Sequence, residues 1–126
     1  MCLLLHWKTM SKSFSEDDIR SFLHSLKLGK YETEAYLTLL KNGPQDYKGL
    51  VKLSRVPYGK IYYTLDILIK KGWVKNSDQK PRVFYALDPE ETLMNYLLDM
   101  KKQMADMERS VLRIIPQIKT LYGQSC

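Results

Sequence analysis

The alternation of apolar and polar positions divides the chain into helices, a hairpin and one long heptad run. Between Val56 and Gly72, Ile61, Leu65 and Leu68 recur at helical spacing and give one apolar face. Pro57 suits the first helical position, where its missing N–H costs nothing, and Gly72 suits a left-handed closing residue. At 100° per residue, Gly59, Tyr63, Asp66 and Lys70 fall on the opposite face, with Tyr58 and Lys60 at the start.

Upstream, Ser15 with Asp18 forms a capping box, and Phe14 with Ile19 a hydrophobic staple, so a helix is expected from Ser15 with Ile19, Phe22, Leu23 and Leu26 buried. Leu28 and Gly29 interrupt it. A second helix is expected from about Lys30 to Asn42, with Tyr31, Ala35, Tyr36, Leu39 and Leu40 inward and Gly43-Pro44 as its stop. Asp46 can cap a short third helix through Ser54, with Leu50 and Leu53 buried. Two short helices joined by the turn S-R-V-P outline a helix-turn-helix. Trp73-Val74 and Val83 to Leu87 read as two strands around the polar turn N-S-D-Q-K-P-R, a wing with Lys80 and Arg82 at or beside its tip.

Asp88-Pro89-Glu90-Glu91 then starts a long helix with an N-cap, a proline and acids in the first turn. Along it Leu93, Leu97, Met100, Met104, Met107, Val111, Ile114, Ile118 and Leu121 follow at alternating intervals of 4 and 3. That pattern is a coiled-coil seam and predicts self-association. Its three methionines make the packing adaptable. Pro116 lies off the seam, and a kink or break is expected near Ile115.

The fold class expected is mainly α with a small β-hairpin wing: a winged helix-turn-helix followed by a long C-terminal coiled-coil dimerisation helix. The expected divisions are an N-terminal arm over residues 1–13, a DNA-binding domain over 14–88, a dimerisation helix over 89–122 and a tail over 123–126. Leu3, Leu4, Leu5 and Trp7 in the arm have no period that decides between packing on their own domain and on a partner subunit.

Charge sharpens this reading. The chain of 126 residues carries a net +6. Between Lys41 and Arg82 there are ten basic residues against Asp46, Asp66 and Asp78. The whole excess therefore sits in the helix-turn-helix and wing, which favours a polyanion partner over a solvated surface with surplus lysines. Composition is that of a soluble globular protein, with no apolar run near the roughly 18 residues of a membrane span. The start M-C-L-L-L-H-W-K is too short for a secretory signal, so a cytoplasmic location is expected. Cys2 and Cys126, one at each end, read as free thiols. Neither they nor His6 and His24 have metal-ligand spacing, and no acid/base pair, nucleophile or phosphate-cradling loop suggests an enzyme or a cofactor.

Duplex DNA and a second copy of the chain are the expected partners. Tyr58, Gly59, Lys60 and Tyr63 would lie at or near base edges, Lys60 as a donor to guanine and a tyrosine by its O–H or against a thymine methyl. Tyr62 would be part core and part phosphate contact. Lys48, Lys52 and Arg55 would bind phosphates, Lys70 would line the same face, and Lys80 and Arg82 would reach the backbone or minor groove. Asp66 is expected to clear the groove or pair with Lys70. The alternative is a winged-helix protein-interaction module without sequence-specific DNA binding.

Three blocks carry a family resemblance: L-K-L-G-K-Y-E-T-E-A-Y-L-T-L-L-K-N-G-P, then L-V-K-L-S-R-V-P-Y-G-K-I-Y-Y-T-L-D-I-L-I-K-K-G-W-V, then K-P-R-V-F-Y-A-L-D-P-E-E. In order and spacing they resemble the TrmB family of archaeal-type transcriptional regulators; MarR-like and PadR-like regulators are neighbours. The resemblance implies a winged-helix DNA-binding domain, dimerisation through a helix after the wing, and transcriptional control. Lys60 and Tyr62 match the family pattern. Arg55 stands where the family usually has glycine, and Tyr58-Gly59 where it often has Arg-Ser. The sugar-binding domain of larger members has no counterpart in this sequence.

Overall fold

The computed structural model describes residues 15–124, and the chain divides into two compact units, one through Leu87 and one from Asp88. The first unit contains α1 (Glu16–Ser25), α2 (Lys30–Asn42), α3 (Tyr47–Ser54), α4 (Tyr58–Lys70), β1 (Val74–Asn76) and β2 (Phe84–Ala86). The second is the single helix α5 (Pro89–Gln124). The arm and the Phe14 half of the staple lie outside the described residues.

The start of α1 follows its local code. The Asp18 N–H donates to Ser15 Oγ at 3.2 Å, and the Ser15 N–H to Asp18 Oδ2 at 3.1 Å. At the other end Lys27 adopts φ 71°, and the Leu28 and Lys27 N–H groups donate to the carbonyls of Leu23 and His24. This is a Schellman closure with a lysine in the left-handed position. Only Leu23 of the expected α1 stripe is fully buried. Ile19 and Phe22 are exposed at 43% and 52%, and Leu26 is half-buried. A ten-residue helix that packs mainly on α2 has a neighbour narrower than its apolar stripe. Ion pairs complete the attachment. Arg20 Nε meets Glu34 Oε2 at 2.6 Å, and Lys41 Nζ meets Glu16 Oε1 at 2.8 Å.

α2 is the central helix, packed on α1, α3, α4 and β2. With neighbours on several sides it buries Thr33 and the run Ala35 to Leu39, a band broader than one stripe. Its buried hydroxyls bond backward, Thr33 to the Gly29 carbonyl and Thr38 to that of Glu34, both at 2.8 Å. Tyr31 and Leu40, expected inside, flank that band and are exposed. In the short α3, Leu50 is fully buried, whereas Leu53 lies on the flank and is exposed.

The hairpin pairs Val74 with Ala86 and Asn76 with Phe84 in antiparallel register. An isolated antiparallel bridge joins it, since Gln45 and Phe84 exchange both backbone hydrogen bonds at 2.9 and 2.8 Å. Trp73, Val74 and Phe84 are buried, so the wing is rooted in the core. Tyr36 meets the Trp73 ring edge-on at 5.1 Å.

α5 begins as expected, with Asp88 Oδ1 accepting the Glu90 N–H at 3.2 Å. It continues through Pro116 without the break anticipated near Ile115. A proline removes one main-chain hydrogen bond, and here the turn beyond it stays closed, with Thr120 Oγ1 donating to the Pro116 carbonyl at 3.0 Å. Among the described residues no helix is long and apolar enough to cross a membrane.

The α1 attachment carries a pH dependence. The hydrogen bond from the Lys41 ammonium, opposed by desolvation and aided by the charges of Lys41 and Arg20, holds the Glu16 carboxyl below its ordinary 4.5. A carboxyl depressed in the folded state stabilises it above that ordinary value, and the contribution is lost as pH falls through the folded value. The urea midpoint of the wild type should therefore drop more than that of Glu16→Gln between about pH 6 and about pH 3. Equal drops would show that Glu16 has no share in the acid sensitivity.

Candidate nucleic-acid interface

The interface is built on the turn between α3 and α4. Asp46 caps α3, its Oδ1 accepting the Gly49 N–H at 2.8 Å. At the far end Ser54 Oγ donates to the Leu50 carbonyl and accepts the Val56 N–H, at 3.2 Å in the latter case. Between them Arg55 takes the left-handed conformation, φ 64° and ψ 15°. Val56 is buried and pins the turn to the core. Pro57 is extended, with ψ 145°, and acts as the N-cap of α4. It therefore precedes the helix by one residue instead of opening it. Its carbonyl still accepts the N–H groups of Lys60 and Ile61.

α4 then presents two unlike faces. Ile61, Thr64, Leu65 and Leu68 are buried, and Thr64 Oγ1 bonds the Lys60 carbonyl at 2.7 Å. Tyr58, Gly59, Lys60, Tyr62, Tyr63, Asp66 and Lys70 are exposed, Tyr63 the most of its tyrosines at 70%. No atom lies within 4 Å of the place a Cβ would occupy on Gly59, so the backbone there is open to close approach. Gly72 closes the helix at φ 83°, with Trp73 and Gly72 donating to the carbonyls of Leu68 and Ile69.

A chain of aromatic contacts ties this helix to the wing. The Tyr58 and Tyr62 hydroxyls lie 3.1 Å apart, and their rings meet edge-on. Tyr62 lies against Tyr47 with centroids 4.1 Å apart, and Tyr47 against Phe84 at 4.8 Å. The Arg82 guanidinium sits 5.3 Å over the Phe84 ring, with Nη1 3.4 Å from the Tyr47 hydroxyl. The bond with the Tyr58 hydroxyl, with some desolvation, raises the Tyr62 phenol above its usual range. The structure thus gathers Tyr58, Tyr62 and Arg82 from the sequence-derived set. It adds Tyr47 and Gln45, which that set lacks. The aromatic directly after the capping Asp46 was the available signal for Tyr47.

The basic residues separate into two groups. Lys41 is bound to Glu16, and Lys71 to Glu32 at 2.7 Å and to the Lys27 carbonyl at 3.2 Å. Lys48, Lys52, Arg55, Lys60, Lys70, Lys75, Lys80 and Arg82 are exposed, and among the described residues none has a carboxylate partner. The anticipated Asp66–Lys70 pair is not formed. A cavity of about 270 Å³ near the turn is lined by Arg20, Glu34, Lys41 and Arg55, the first three already joined in the α1–α2 ion pairs. No cluster of three metal-ligating side chains occurs among the described residues.

Comparison with known proteins agrees with this geometry. The family of the sugar-specific transcriptional regulator TrmB matches residues 23–90. The chain belongs to the TrmB family. It is 34% identical over 116 residues to the HTH-type sugar sensing transcriptional regulator TrmBL1 of Pyrococcus furiosus, covering 86% of this chain and 34% of that one. The chain spans about a third of the length of the curated relatives it matches. Its fold is that of TrmBL2, described as an archaeal chromatin protein with a novel mode of DNA binding. That likeness has a TM-score of 0.80 at 22% identity, covering 87% of this chain and 43% of that one. A possible transcriptional regulator from Methanosarcina mazei Go1 shares the fold at a TM-score of 0.60 and 15% identity, with 81% and 89% covered. This TrmB-family chain therefore carries the family's winged-helix DNA-binding domain.

The turn yields a stability prediction. An L-residue in the left-handed region costs about 1 kcal/mol relative to glycine. Arg55→Gly should accordingly raise the urea midpoint, by an amount worth about 1 kcal/mol at most, since glycine also frees the unfolded chain. A lowered midpoint would mean that the Arg55 side chain stabilises the turn by more than its backbone strains it.

Proposed function

We propose that this TrmB-family chain is a sequence-specific regulator that binds duplex DNA as a homodimer in the cytoplasm, with α4 in the major groove and the hairpin on the backbone or minor groove. The observation that carries the reading is the outward face of α4, open to solvent and surrounded by cations without carboxylate partners. Tyr58, Gly59, Lys60 and Tyr63 supply the base-edge contacts, with the Lys60 ammonium a donor to guanine acceptors. Lys48 and Lys52, one turn apart on α3, grip phosphates together with Arg55. Lys70 extends the positive face, and Tyr62 packs on Tyr47 while its hydroxyl side meets the backbone.

The wing supplies Lys80 and Arg82. Because Arg82 rests on Phe84 and Tyr47, its guanidinium is preorganised at the start of α3 and less entropy is lost on meeting a phosphate. Residues 14–88 form the DNA-binding domain and 89–122 the dimerisation segment. The dimer rests on the seam of α5, where Leu97, Met100, Met104, Met107, Val111, Ile114, Ile118 and Leu121 are all exposed and Leu93 is partly covered. An apolar row of that length in water is stabilised by pairing with another such row.

Oligonucleotides selected from a random duplex library give the probe. Lys60→Ala should weaken the selected sequence by about 1–3 kcal/mol and relax discrimination at one position. Lys80→Ala should weaken all sequences alike and reduce the slope of log affinity against log salt by about 1. Equal losses on selected and random DNA for both variants would remove Lys60 from the base-reading set. If duplex DNA is not retarded at moderate ionic strength, the protein-interaction reading replaces this one.

A further inference from the structure

The surface beside the α5 seam carries a second pattern, and it fixes how two such helices would lie together. Resting on the homodimer reading above, we infer that two copies pair their α5 helices antiparallel, about a two-fold axis close to Ala105. With Leu97, Met104, Val111 and Ile118 as heptad a positions and the other seam residues as d, the e positions are Met94, Lys101, Glu108, Ile115 and Tyr122. The neighbouring b positions are Glu91, Leu98, Ala105, Leu112 and Lys119. Read together from Glu91 to Lys119, this strip is acid, apolar, apolar, base, small, acid, apolar, apolar, base. Reversed end for end it matches itself, with every charge opposite its complement.

An antiparallel pair turns that pattern into contacts. In the seam, Leu93 layers with Ile118 of the partner subunit, Leu97 with Ile114 of the partner subunit, Met100 with Val111 of the partner subunit and Met104 with Met107 of the partner subunit. At the flanking e positions Lys101 meets Glu108 of the partner subunit and Met94 meets Ile115 of the partner subunit, each twice by symmetry. A parallel pair would instead set e against g, placing Lys101 by a tyrosine, Glu108 by a glutamine and Ile115 by a serine. No charge would be compensated there.

The ion pairs within the helix point the same way. Asp106 binds Arg109, and Asp99 accepts from Gln103 at 2.8 Å, so these two carboxylates on the outer side have partners in their own helix. Lys101 and Glu108 have no ion-pair partner among the described residues. Their neighbours three and four residues away are Leu97, Leu98, Met104, Ala105, Val111 and Leu112, all apolar. Met94, Leu98, Leu112 and Ile115 are exposed. Pro116 falls at an f position, away from the seam. At 1.5 Å per residue, the two Asp88 residues that precede the paired helices would lie about 50 Å apart along the pair.

Cross-linking in a full-length Cys2→Ser/Cys126→Ser background tests the direction. Mild oxidation of a mixture of Leu97→Cys and Ile114→Cys proteins should give a covalent mixed dimer, while each alone should give little. Efficient self-linking of Leu97→Cys would establish the parallel pair and overturn the inference. A charge exchange tests it without new cysteines. Lys101→Glu should weaken dimerisation, measured by sedimentation equilibrium, by about tenfold, and Lys101→Glu/Glu108→Lys should restore it. Additive losses in the double variant would also overturn the antiparallel register while leaving a dimer. A monomeric mass for the unaltered protein at micromolar concentration would instead remove the homodimer reading itself.

Discussion

The burial of one face of α4 is the constraint on which the rest of the first unit depends. Ile61, Leu65 and Leu68 are essentially inaccessible, as are Leu50 from α3 and Trp73 and Phe84 from the wing. Each such side chain contributes about 1.5–3 kcal/mol by leaving water. Rotating α4 about its axis would expose several of them at once, so the opposite face is held in one orientation. Tyr58, Lys60 and Tyr63 are presented by a helix that has no alternative seating.

The wing shares that anchor. Trp73 follows directly on the Schellman closure of α4, and its carbonyl accepts the Leu87 N–H at 3.0 Å. Phe84 is held on one side by the rung with Gln45 and on another by the Tyr47 ring. Aromatic rings have few rotatable bonds, so a run from Tyr58 to Phe84 fixes the hairpin against the helix at small entropic cost. Arg82 is stationed at the end of that run. The arrangement supports a wing and a helix that would approach DNA as one body.

Electrostatics divide the molecule along the same line. Acids in the first turn of α1 and at Glu32 and Glu34 neutralise Arg20, Lys41 and Lys71, where the cations serve packing. Arg20 is surrounded by three carboxylates, which push its guanidinium still higher than the ordinary arginine range. In the helix-turn-helix and hairpin Asp46, Asp66 and Asp78 form no ion pair, and the exposed cations there have no carboxylate partner among the described residues. Exposed positive charge of that kind repels itself in the free protein and is relieved by a polyanion. On α5, Lys101 and Glu108 likewise have no ion-pair partner among the described residues.

Local chemistry by itself determined where elements begin and end. Ser15 with Asp18, Asp46, Gly72 and Asp88-Pro89 act on backbone groups within a few residues, so their effect is written in adjacent letters. The buried residues Ile61, Leu65 and Leu68, the two strands and the cation-rich segment were legible for the same reason. Tertiary structure decided what each face meets. Ile19, Phe22, Tyr31, Leu40 and Leu53 have the spacing of core residues, yet their exposure depends on how many neighbours each helix acquires. Likewise, the pairing of Lys41 and Lys71, the Gln45 rung and the Tyr47 bridge join residues far apart in the chain, and α5 runs through Pro116 because one missing hydrogen bond does not outweigh the turns on either side. Periodicity names a face; only the folded chain supplies the surface opposite it.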